Sequence, residues 1–116
     1  MAIRPFMGDV VLASAARTTT ASSGPVAAAG QVTVAVLLVH CSAASGTTPT
    51  LDVALEQSAN GTDWSAVTGG AAAQLTAAGN RVATGLVTAN YVRATATIGG
   101  TTPSFTFSAS IAFLAS

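Results

Sequence analysis

A chain of 116 residues is the size of one domain, because two independent cores drawn from it would each be short of apolar surface. Hydrophobic residues make up 50% and charged residues 7%, with Arg4, Arg17, Arg81 and Arg93 balancing Asp9, Asp52, Glu56 and Asp63 to a formal net charge of zero. Soluble domains usually carry about 25% charged residues, so this chain lacks the repulsion that keeps small proteins apart, and four scattered arginines without a lysine offer no basic patch to nucleic acid.

High hydrophobicity and zero net charge are the reverse of the disorder signature, so the chain is expected to fold. No run approaches the roughly 18 apolar residues of a membrane helix, the longest being Val34 to Val39, and no membrane partner is expected. Met1 to Ala16 loosely imitates a secretory leader, but Pro5, Gly8 and Asp9 break its apolar stretch and it is expected to be retained. Residues 1–8, with Ile3, Arg4, Pro5, Phe6 and Met7, are too apolar for a free tail and are expected to form an arm that docks on a partner. Residues 9–116 are expected to form the folded domain.

Alanine, threonine, serine, glycine and valine dominate that domain, and β-branched residues punctuated by glycine and proline argue for short strands. Strands are expected near Val10 to Ser14 and Arg17 to Ala21. Gln31 to Cys41 follows with apolar residues on both faces, so it is central or covered by a neighbouring subunit. In Leu51 to Glu56, Leu51, Val53 and Leu55 alternate with Asp52, Ala54 and Glu56. Asn60-Gly61 suits a tight hairpin leading to Trp64–Val67, as both residues tolerate positive φ. Ala71 to Ala78 has room for a helix of barely two turns, marginal on its own. Arg81 to Val87, Tyr91 to Ile98 and Phe105 to Phe113 complete the set. In the last, Phe105, Phe107, Ala109, Ile111 and Phe113 share one face. The expected fold is all-β, an antiparallel β-sandwich of jelly-roll or immunoglobulin-like type with about eight short strands.

Gly46-Thr47-Thr48-Pro49-Thr50-Leu51 recurs as Gly100-Thr101-Thr102-Pro103-Ser104-Phe105. Each copy reads as strand, loop, strand, and two copies suggest a pseudo-symmetric pair of hairpins rather than a solenoid.

The residues that carry chemistry are few. His40 and Cys41 are neighbours on a strand, so they point to opposite faces and cannot share a metal. Cys41 reads as a small buried apolar residue and makes no internal disulfide. No Gly-x-Ser-x-Gly elbow supports a nucleophile, and no lysine completes a phosphate loop. Asp52 and Glu56 share a strand face about 13 Å apart, too far for paired-carboxylate glycoside chemistry. Asn60-Gly61-Thr62 matches a glycosylation acceptor, but turn geometry explains it. Trp64 reads as a packing plug or an anchor for a partner. No catalytic residue, cofactor or metal is expected, and the chain reads as a non-enzyme.

The stretch Leu51 to Trp64, then Tyr91-Val92-Arg93, then Gly100 to Phe107, resembles a pattern common in small β-sandwich virion proteins of tailed bacteriophages: a strand, Ser-x-Asp-Gly-x-x-Trp, a Tyr-Val-Arg strand and a Gly-Thr-x-Pro-Ser-Phe return. Asn60 stands where aspartate is usual. The resemblance covers roughly the C-terminal two thirds and implies a structural role, with head decoration first: a cement protein that binds the major capsid protein and copies of itself, in a virion assembled in the host cytoplasm. Ile3, Arg4, Phe6, Met7, Trp64 and Tyr91 are then the expected partner-interface residues. A tail or neck component is the nearest alternative, and a carbohydrate-binding module using Trp64 and Tyr91 is the alternative from another class.

Overall fold

The fold is known from a computed structural model, which describes residues 9–27 and 33–115. Seven strands run in the order β1 (Asp9–Arg17), β2 (Ala21–Ser22), β3 (Val26–Ala27), β4 (Thr33–Ser58), β5 (Ser65–Ala71), β6 (Gly79–Val87) and β7 (Tyr91–Ala115). All pairings are antiparallel and belong to one sheet, so the all-β antiparallel expectation holds. The seven strands form one hydrogen-bonded sheet, and two of them, of 26 and 25 residues, are far longer than the short strands expected.

β4 and β7 pair along their whole length, from Thr33 opposite Ala115 to Ser58 opposite Tyr91. Towards the Thr33 end, β6 flanks β4 and β1 flanks β7, giving a first arm in the order β1-β7-β4-β6. Towards the Ser58 end, β5 flanks β4 while the short β2 and β3 flank β7, giving a second arm.

A straight strand of 26 residues would measure about 86 Å, yet the longest dimension of the molecule is 48 Å, so β4 has to bend. It bends at the repeated motif. Gly46 and Gly100 have φ of 112° and 114°, and Thr48 and Thr102 have φ of 46° and 45°. The two copies lie against each other, with Thr47 opposite Thr101, and are not the loops of separate hairpins. A lone copy would leave its backbone groups to water, whereas two copies facing each other keep a partner through the bend. Pro49 and Pro103 fall where the register shifts and face no partner in the ladder, so their missing N–H costs no bond there.

Strict alternation on either side of the bend builds the interior. Leu37, Val39 and Cys41 on β4, and Phe105, Phe107 and Ile111 on β7, are buried in the first arm; Leu51, Val53 and Leu55 with Val92, Ala94 and Ala96 are buried in the second. The face assigned to Phe105 to Phe113 is as expected, with Phe113 half-buried at its end. All these residues join one core cluster, and Val67 of β5 lies directly over Gly85 of β6, so the arms close on a shared interior.

As its marginal length implies, Ala71 to Ala78 forms no helix: Leu75 exchanges backbone bonds of 2.8 and 2.9 Å with Leu51, which pins the connection to the edge of β4. Burial of Leu75 against the core outweighs the weak helix propensity of so short a run. Arg17 to Ala21 is not a strand either, since Arg17 closes β1 and Ala21 opens β2. The Arg17 guanidinium turns back, donating to the carbonyl oxygens of Ala13 at 2.7 Å and Phe107 at 3.0 Å, and lies 4.9 Å from the centre of the Phe107 ring.

Candidate assembly surface

The two arms are related by an approximate two-fold through the paired motifs. It exchanges the inward Leu37, Val39 and Cys41 with Val92, Ala94 and Ala96, and Leu51, Val53 and Leu55 with Phe105, Phe107 and Ala109, all buried. The same operation exchanges the outward pair Leu38 and Ser110 with Arg93 and Glu56, which are also directly opposite each other. The inward positions match in character and the outward ones do not. Packing of the shared interior therefore does not dictate the outward residues.

On the second arm the outward face is polar and closed upon itself. Glu56 Oε1 accepts from Arg93 Nε at 2.9 Å and from the Thr95 hydroxyl at 2.6 Å, and its ion pair to Arg93 Nη2 measures 2.8 Å. The Thr95 hydroxyl, with Arg93 adding a hydrogen bond and its charge, holds the Glu56 carboxyl below the usual range against the opposing pull of partial burial. The other side of the guanidinium covers the Trp64 ring, 4.4 Å from its centre.

The loop that presents Trp64 is built around Ser58 and Asn60. Ser58 Oγ accepts from the N–H groups of Asn60 and Gly61, while Asn60 Oδ1 accepts from those of Thr62 and Asp63 and from the Ser58 hydroxyl. Asn60 Nδ2 donates to Asp63 at 2.9 Å, a bond an aspartate could not make. Only Gly61 has positive φ, 80°, so Asn60 acts through its side chain and the connection spans residues 59–64 rather than a two-residue turn. Tyr91 stands beside this loop, its ring 4.0 Å from where a Gly61 side chain would begin.

Trp64 and Tyr91 thus sit at one end of the second arm. Ile3, Arg4, Phe6 and Met7 lie outside the described residues. The pairing of Arg93 with Glu56 was not read from the sequence, and no local spacing could have found it, since they meet across 37 residues.

The first arm is different. Val10, Leu38, Val82 and Leu86 are 63%, 43%, 61% and 52% exposed on its outward face, with Val34 and Val36 half-buried among them. Leu38 is opposite Val82 and Val34 is opposite Leu86, so the aliphatics form adjoining rows. Among the described residues, none of the side chains pointing outward from these four strands is charged. A shallow groove of about 300 Å³ runs past Leu38, His40, Asn80, Val82, Ser108 and Ser110; Arg81 also lines it, its guanidinium donating to the carbonyl oxygens of Asn80 and Gln74. His40 is exposed here and hydrogen-bonds Asn80, whereas Cys41 beside it is buried with its thiol directed to the Ala43 carbonyl.

Apart from His40 and its Asn80 partner, what this surface offers is largely aliphatic. Covering it would gain about 25 cal/mol per Å² of apolar surface removed from water. Comparison with protein-family models, with curated proteins and with solved structures finds no match.

Proposed function

We propose that this chain is a non-enzymatic structural protein of a tailed-phage virion, a decoration or cement protein that binds the major capsid protein and stabilises the head. The observation that carries the reading is the charge-free aliphatic face of the first arm. It adjoins a polar, internally paired face on an arm of the same construction. A shell protein needs one side that loses nothing when buried against neighbours and another that stays wet. The resemblance of Leu51 to Trp64 and Gly100 to Phe107 to small virion proteins supplies the class of assembly.

The test is binding of the purified protein to capsids of the encoding phage that lack it. Saturable binding with a rise in the capsid's thermal stability supports the reading; no binding overturns it. Density for the chain on the tail or neck in a particle reconstruction would replace head decoration with the nearest alternative. The carbohydrate-binding alternative is the weaker, because Arg93 already covers one face of Trp64, the one indole in the chain.

A further inference from the structure

The outward face of the first arm is four strands wide, and β4 and β6 alone pair over nine positions, Thr33 to Cys41 with Gly79 to Val87. At ordinary strand spacings it measures roughly 30 Å by roughly 19 Å, on the order of 600 Å². That is the share of one partner in a small but stable protein interface, about 600 to 1,000 Å².

We propose that two copies of this chain pack through this face, sheet against sheet. The inference rests on the assembly reading and names the surface and the partner within it. Three features favour a second copy over other occupants. The face is uncharged among the described residues, so its meeting with itself brings no like charges together. It carries both protruding aliphatics, Val10, Val82 and Leu86, and the groove between Leu38 and Ser108, so knob and hole are on one surface, as an isologous contact requires. Aligned packing of two such faces about 10 Å apart is the ordinary way for sheets to bury an aliphatic side. The second arm cannot serve in the same way, since its Arg93 and Glu56 are already paired and half-exposed.

Sedimentation of the full chain across a concentration range tests this, with circular dichroism to confirm folding. The intact chain sediments as a dimer, and Val82→Glu, at an exposed position, weakens association at least tenfold. Thr84→Arg on the same face does the same and stands in should Val82→Glu fail to fold. Thr97→Glu, exposed on the second arm, leaves the dimer intact. The proposal is overturned if the intact chain is monomeric at all concentrations, or if folded Val82→Glu and Thr84→Arg dimerise as the intact chain does. It is equally overturned if removal of residues 1–8 abolishes the dimer while Val82→Glu does not. Capsid binding is read separately: a dimer indifferent to capsids sinks the decoration role and leaves the interface standing.

Discussion

The Cγ1 methyl of Val67 occupies the position where a side chain on Gly85 would begin. The φ of Gly85 is not in the left-handed region, so what this glycine provides is space, and the space is filled from the other arm. Gly85→Ala is expected to destabilise by about 1 to 3 kcal/mol through overpacking. Adding Val67→Ala should recover part of that loss, so that the double variant in urea is more stable than the sum of the two single changes allows. Strict additivity would mean the two residues do not touch.

The bend makes a paired prediction. A side chain at Gly46 would lie 2.7 Å from the Thr102 carbonyl oxygen, and one at Gly100 would lie 2.7 Å from that of Thr48. Each glycine also has positive φ, so Gly46→Ala and Gly100→Ala are each expected to cost about 2 kcal/mol or more, and nearly the same amount. Thr48 and Thr102 hold a conformation that β-branched residues resist, so Thr48→Asn and Thr102→Asn should each stabilise by up to about 1 kcal/mol. Thermal midpoints of the four variants check both halves of the claim.

Glu56 sets a pH dependence. Its carboxyl is held below the usual range in the folded chain, so its contribution to stability is complete above the ordinary glutamate value, about 4.3, and disappears as pH falls through the lower folded value. Glu56→Gln should therefore cost about 1 kcal/mol or less at pH 7, as partly exposed pairs do, and flatten the fall in stability on the acid side. An acid limb identical in the variant and the parent would exclude Glu56 as its source.

Phe107 is fully buried at the centre of the first arm, with the Arg17 guanidinium over its ring. Phe107→Ala should cost about 3 to 5 kcal/mol, as loss of a core aromatic does. A loss within about half a kcal/mol in denaturant titration would contradict its burial.

The strands of this fold were legible wherever large apolar residues mark the inward face. Phe105, Phe107 and Ile111, and Leu51, Val53 and Leu55, announce their side by alternation alone. β6 inverts that signal, with Val82 and Leu86 outward while Ala83 and Gly85 point inward. Gly85 has no side chain there because Val67 fills the space above it, a fact that lies on another strand. The repeated Gly-Thr-Thr-Pro motif was visible as a repeat, but whether its copies lie apart or together depends on pairing across more than fifty residues, to which local propensity is blind. On the surface, the two-sided apolar character of the Val34 to Val39 stretch already pointed to the exposed face. The stack of Glu56, Arg93 and Trp64 did not show, because Arg93 reaches the other two from β7, 37 residues beyond Glu56.

β4 and β7 each pass through both arms, and this governs how the molecule can come apart. In a protein of two separate sheets, one can fray while the other holds. Here, opening either arm withdraws partners from a strand that the other arm also needs, so the domain is expected to exchange its protected amides as one cooperative unit. The centres of the two arms should show the same opening free energy in hydrogen exchange. A load applied along β4 against β7 would likewise be shared by the ladder from Thr33 to Ser58, in shear rather than bond by bond.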